Sequence, residues 1–378
     1  MQSGRIFRLF AVLALPAAVM FLAVGGRLKG DDRHQEIIES TQTQTVLSEV
    51  YTIDRKYRSM MGPSSTVDVR LLETEEPELL WITGYRAAMV GADGVTDQAQ
   101  EFMCHSNLDI DAGAHTSLIG KNPSFSPRLF TLSQGQLAIR FPTGFGIPIV
   151  STETLDLTTQ VLNLNHEEAA GLQVRHKVSL EFVRDRDAQG AMQALFPIAG
   201  YGLTLLEGEG AYYGERQPKE EVHGPGCLVG DSASDHEYKD NQGRKFTGHW
   251  VVPPGREVNH TLVTHLMQVP YDTRIHYIAV HLHPFAESLE LRDLTTGESL
   301  FKSRARNFED RIGLDHVDYL SSDGGIPVYA DHDYEMVSIY NNTSSEPQDS
   351  MAVMYMYLRD RSFDPGKVRS RLSQANAR

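Results

Sequence analysis

Short stretches in which every second residue is apolar recur along most of this chain, and that pattern limits the fold more than any other feature. Val67-Asp-Val-Arg-Leu71, Gln136-Leu-Ala-Ile-Arg-Phe141 and His176-Lys-Val-Ser-Leu-Glu-Phe-Val183 alternate in this way, with Gly and Pro between them. Successive side chains of an extended backbone point to opposite faces, so such segments make strands with one face inside. Many short strands with turn punctuation predict antiparallel sandwiches. Thr261–Met267, Glu335–Tyr340 and Asp349–Leu358 continue the style. At 378 residues and 40% hydrophobic content, the chain can build two domains with real cores. The expectation is an all-β protein of two tandem antiparallel, jelly-roll-like β-sandwiches at residues 63–205 and 206–360.

The two ends read differently. Arg5 and Arg8 precede an uncharged apolar run from Leu9 to Gly26. Its length sits at the short end of the roughly 17–25 residues that span a bilayer, and it equally matches a signal peptide. Residues 1–30 are thus expected to be an N-terminal apolar helix, either cleaved or kept as an anchor. In both cases the bulk of the chain is exported, to a periplasmic or extracellular location or to the outer side of a membrane. Residues 31–62 carry Ile37, Ile38, Val46, Leu47, Val50 and Ile53 at a loosely helical spacing, which predicts a helical stalk. Residues 361–378 are basic and polar and are expected to be a disordered tail. A net charge of −15 argues against nucleic acid or an anionic membrane surface as partner.

Ile275-His-Tyr-Ile-Ala-Val-His-Leu-His-Pro-Phe285 reads as a strand carrying His281 and His283 two positions apart. Both imidazoles then leave the same face, close enough to share one metal ion. Asp349-Ser-Met-Ala-Val-Met-Tyr-Met-Tyr-Leu358 adds Met351, Met354 and Met356. Imidazole with thioether suits copper, Cu(I) above all, rather than calcium or magnesium. With 15 histidines in the chain, spacing alone does not separate a metal pair from chance, nor the methionines from core filler.

Val280-His-Leu-His283, then about seventy residues later Asp349-Ser-Met-x-x-Met-Tyr-Met-Tyr357, resembles the catalytic half of the type II, ascorbate-dependent copper monooxygenases. That family includes peptidylglycine α-hydroxylating monooxygenase and dopamine β-hydroxylase. Trp250-Val-Val-Pro-Pro-Gly-Arg256 resembles the turn the family places ahead of its histidine strand, and the similarity covers roughly residues 75 to 360. The resemblance implies an oxygen-activating copper on His281, His283 and Met351, with ascorbate or another reductant as co-substrate. It further implies an electron-supplying copper in the first half. The family's adjacent histidine pair there falls on Cys104-His105, and its third histidine on Asn165 or His166. Phe141-Pro-Thr-Gly-Phe-Gly146 resembles a family turn between them.

Departures from the family bear on the substrate. An arginine expected two residues before the first histidine is Ala279, and an asparagine expected two residues past the methionine is Val353. Tyr355 keeps the family's tyrosine and is the catalytic residue the resemblance assigns. The implied substrate is a small uncharged or apolar molecule hydroxylated at a C–H bond; the alternative is an extracytoplasmic copper-handling protein without turnover. The chain has two cysteines, Cys104 and Cys227. An exported protein would pair them in a disulfide, which competes with Cys104 as a ligand, and both remain open. His249 is read as a cap on the Pro-Pro turn. Five residues apart, His260 and His265 point to opposite faces of one strand. Asp231, Asp235, His236 and Glu237 form an acidic cluster in the long polar stretch 214–248, a stretch long enough to carry function.

Overall fold

The computed structural model describes residues 41–57, 59–74, 76–122, 124–167, 171–188, 192–207, 237–239 and 244–376. Strands dominate it, as the alternation requires. Eleven of them join one sheet, whose main path runs 42–47, 172–184, 79–91, 145–150, 193–201, 348–359, 273–282, 320–328. A four-stranded sheet (64–69, 155–161, 103–110, 128–132) covers the first half of this sheet, and a five-stranded one (255–262, 334–342, 286–293, 298–307, 314–317) covers the second.

The separation expected at residue 205 is not what the backbone makes. Gln193–Tyr201 pairs antiparallel with Gln348–Arg359 along its length, and parallel with Phe145–Val150 at only two positions. The last strand of the expected first domain is therefore hydrogen-bonded mainly to the second. Three neighbouring strands form a wall shared by both cores. Leu195, Tyr277, Ala279, Met351, Val353 and Tyr355 face the first core. Ile198, Ile278, Val280, Ala352, Met354 and Met356 face the second. A strand buried on both faces needs a continuous apolar run, which is what Met351–Leu358 supplies.

Both flanks differ from expectation. Gln42–Leu47 and Tyr51–Ile53 are strands paired with Leu172–Arg184, not a helical stalk. Their apolar positions imitate a helical period because two strands and the turn between them share that stretch. The expected tail contains a helix, Pro365–Asn376. Asp364 accepts from the Gly366 and Lys367 amides at its start, a helix-capping arrangement. Val368 and Leu372 then fall on one face and pack near Trp81. Arg369 Nε and Nη2 donate to Asp185 at 2.5 and 2.9 Å and close the contact. His265 also lies on a short helix, Thr264–Met267, rather than a strand. Among the described residues no helix is long and apolar enough to cross a membrane. Residues 1–30, Cys227, Asp231, Asp235 and His236 lie outside the described residues.

Candidate metal site

The strand Thr273–Leu282 projects Tyr277, Ala279 and His281 toward the first core, and His283 follows one step beyond its end. The His281 and His283 ring centroids are 5.2 Å apart with planes at 87°. With metal–nitrogen bonds of about 2.0–2.1 Å, two imidazoles on one ion have centroids roughly 5–6 Å apart. The pair fits one ion.

Hydrogen bonds set the ring orientations. His283 Nδ1 lies 3.2 Å from the Asp349 carbonyl, which can only accept, so Nδ1 carries the proton and Nε2 keeps its lone pair. That Nε2 is 3.4 Å from Ser59 Oγ. His281 Nδ1 is 3.0 Å from Ser133 Oγ, and its Nε2 has no hydrogen-bond partner among the described residues. Burial drives both rings toward the neutral form. The His283 pKa falls to about 4 through desolvation, and that of His281 falls well below 6.5 through desolvation and then His283 and His105. A neutral imidazole is the form that binds metal.

Met351 enters through the neighbouring strand. His281 stands opposite Val353 and Leu282 opposite Ala352, so the next step of the register sets His283 against Met351. Tyr340 fixes that step, accepting from the His283 amide at 3.3 Å and donating to the Met351 carbonyl. Met354 and Met356 face the other core and cannot join. On its far side Met351 pairs with His249 of the edge strand His249–Val252. His249 is thus part of this cluster and not a turn cap; its ring meets His283 edge-on at 5.5 Å. Sequence reasoning missed it because cross-strand pairing, not local spacing, brings it here.

A cavity of about 280 Å³ opens beside the pair, lined by both halves of the chain and including Cys104, Leu162, Val251, His281, His283 and Pro347. Met60 (φ 74°) and Phe285 (φ 71°), which follow the cavity residues Ser59 and Pro284, hold left-handed backbone that bulky side chains rarely adopt. Such strain collects at functional sites.

The first-half residues are arranged otherwise than expected. Cys104 is a buried free thiol in the cavity wall, its pKa pushed up to about 11 by desolvation. His105 does not line the cavity and is buried, with Nε2 lacking a partner among the described residues. Desolvation, then Arg128, His176 and His283, lower its pKa to about 3. The imidazoles near His105 include His176 and His283, and not His166. His176 Nε2 donates to the carbonyl of Gln160, the cross-strand partner of His105, and its buried Nδ1 has no partner among the described residues. His166 is half-exposed and bound to Glu101 at 3.1 Å, and Asn165 also donates to Glu101. Tyr355 is buried and does not line the cavity; desolvation raises its pKa against the influence of Arg128. His260 pairs with Glu335 at 3.0 Å. Among the described residues no three His, Cys, Asp or Glu side chains are grouped so as to hold a metal ion.

No family model and no curated protein matches the chain. Solved structures with some likeness include the capsid protein VP54 of PBCV-1 fitted into a reconstruction of the virophage Sputnik (TM-score 0.30, 7% identity, 85% of this chain and 95% of that one). PNGase F, a glycosylasparaginase from Flavobacterium meningosepticum, gives a TM-score of 0.32 at 7% identity over 85% and 97% of the two chains. At such scores the likeness carries no argument.

Proposed function

We propose that this chain is an exported copper-dependent monooxygenase acting on a small apolar or uncharged molecule, with copper on His281, His283 and Met351. The observation that carries the reading is the pair of neutral imidazoles 5.2 Å apart beside a cavity of mixed polar and apolar lining. The donor set fits the metal: two nitrogen lone pairs and one thioether on a shared face match Cu(I). When bound, copper would supply one-electron chemistry toward dioxygen, with ascorbate or a like reductant as electron source. The protein's own part is positional. Ser133 and the Asp349 carbonyl orient the rings, Tyr340 ties the histidine to the methionine strand, and Leu162, Val251 and Pro347 supply the apolar part of a lining that also holds Gln134, Glu346 and Gln348. Ala279 and Val353 offer no charge to hold a substrate carboxylate. An electron-supplying copper in the first half would use His105 with His176, whose bare buried nitrogens otherwise leave a cost of about 1–3 kcal/mol each unexplained.

The second reading is a copper-holding protein without turnover. It is favoured by His166 being engaged with Glu101, away from Cys104-His105. The deciding experiment is copper per chain together with oxygen uptake in ascorbate and a panel of small apolar substrates. Bound copper with substrate-dependent uptake supports the monooxygenase, bound copper without uptake the holding protein, and absence of copper binding removes both.

A further inference from the structure

Residues 308–313 connect the strands 298–307 and 314–317 and close on themselves, the Phe308 amide donating to the Gly313 carbonyl at 3.0 Å. Among the described residues, neither Phe308 nor Ile312 joins a hydrophobic core. Polar side chains of the first half hold this strap instead. Asn165 Oδ1 accepts from the Ile312 amide and its Nδ2 donates to the Ile312 carbonyl, both at 2.9 Å. Arg311, its guanidinium 4.0 Å from the centre of the Phe308 ring, donates Nε to the buried carboxylate of Glu101 at 3.0 Å. Gln134 accepts from the Leu314 amide at 3.1 Å and donates to the Glu101 carbonyl at 2.8 Å. These anchors belong to the wall of the histidine cavity, which Gln134 lines, as does Leu164 beside Asn165. Behind that wall Asn165, Arg311 and Gly313 line a depression of about 520 Å³. Leu164-Asn165 and Pro284-Phe285 each give their first residue to the cavity and their second to the depression. The two spaces lie back to back, parted by a wall that the strap secures.

We infer that this strap sets the size of guest that the histidine cavity admits, with Glu101 and Arg311 as the pair that determines it. What the cavity is used for rests on the copper reading above. With the strap held, the cavity of about 280 Å³ takes a small molecule. With the strap released, the wall at Leu164 and Pro284 gives way toward the depression. A longer guest then fits, its apolar end at the histidines and its polar end among Asn341, Thr343 and Ser344. Release breaks hydrogen bonds and one ion pair, all of which water can replace, and it exposes no core. Segments held in this way open locally without global unfolding, and such lids govern admission to enclosed sites.

The test uses the full chain without metal, with the free Cys104 thiol in the cavity wall as reporter. Its labelling by the small methyl methanethiosulfonate and by the bulky N-(1-pyrenyl)maleimide is followed by peptide mass, which separates it from Cys227. Arg311→Gln should speed the bulky reagent about tenfold or more and the small one less than about threefold. Arg369→Gln, which breaks the ion pair of the C-terminal helix with Asp185, controls for general loosening and should leave both rates unchanged. In wild type, which needs no variant to fold, the Ile312 and Leu314 amides should exchange with deuterium faster than the Tyr355 amide of the doubly paired wall strand. An unchanged bulky rate in Arg311→Gln, equal acceleration by Arg369→Gln, or Ile312 exchange as slow as that of Tyr355 overturns the inference and leaves the copper reading standing. A chain that shows the size effect yet binds no copper keeps the strap and loses the copper reading.

Discussion

The His283 amide and the Met351 carbonyl share one hydroxyl, that of Tyr340, which accepts from the first and donates to the second. This clasp sits on a residue of the facing five-stranded sheet, so the spacing of the proposed ligands is set by the packing of the second half. Replacing Tyr340 with Phe leaves two buried backbone groups without that partner. The expected loss is about 1–3 kcal/mol in urea denaturation, with copper affinity down by a factor on the order of 10–100. Lowered stability with unchanged affinity would assign the clasp to the fold alone.

Cys104→Ser separates two roles for the thiol. Cys104 is free and buried in the cavity wall, so the substitution should shift stability by only about 1 kcal/mol and leave copper binding at the proposed His281 site unchanged. A drop of about 2–4 kcal/mol would instead report a lost disulfide. With its pKa pushed up to about 11 by desolvation, the native thiol should react slowly with iodoacetamide at neutral pH and quickly once the chain is unfolded.

How much of this was legible beforehand follows from the range of each interaction. The pairing of His281 with His283 is a two-residue relation, and alternation places it without tertiary knowledge. That Met351 shares their face while Met354 and Met356 do not is also alternation, once the strand is placed. His249 and His176 were invisible because their neighbours Met351 and His105 lie far along the chain, in other strands. Val46 and Leu47 were misplaced for the same reason, since pairing with Lys177 and Val178 overrides a short helical period. Apolar content on Gln193–Tyr201 could not say which half it would join.

Gly135 supports the site from the first half. It has φ +83° in the turn Ser133–Gln136, a conformation that L side chains rarely adopt. A Cβ there would lie 2.8 Å from Val317 Cγ2, and the Gly135 carbonyl accepts from the Val317 amide at 3.0 Å. The same turn gives Ser133 to His281 and Gln136 Oε1 to the Val280 amide. Gly135→Ala should therefore cost about 1–2 kcal/mol from the backbone alone, plus the displacement of Val317. Copper affinity should fall along with the melting temperature. If affinity stays at the wild-type level in a destabilised variant, the turn does not orient His281.

Acid should unfold this protein over a window set by its buried histidines. Desolvation lowers the folded pKa of His176 and His283 to about 4 and of His105 to about 3, and takes that of His281 well below 6.5. Above the unfolded value near 6.5 these rings are neutral in both states and their stability is fully present. As pH falls below that value the unfolded chain takes up protons that the folded chain refuses, so stability declines with falling pH until the folded values are reached. Each ring contributes up to about 1.4 kcal/mol per pH unit within the window. His332, raised by its bond to Asp293, acts in the opposite sense, its contribution present at low pH and lost as pH rises through its folded value. Being a single group against four buried rings, it offsets little. Melting temperature measured from pH 7 to pH 4.5 on the metal-free chain should fall steeply below about 6.5. His176→Gln, which can still donate to the Gln160 carbonyl, should make that decline shallower. A melting temperature that stays flat across the window would mean that these rings gain protons in the folded chain and that the site is wet.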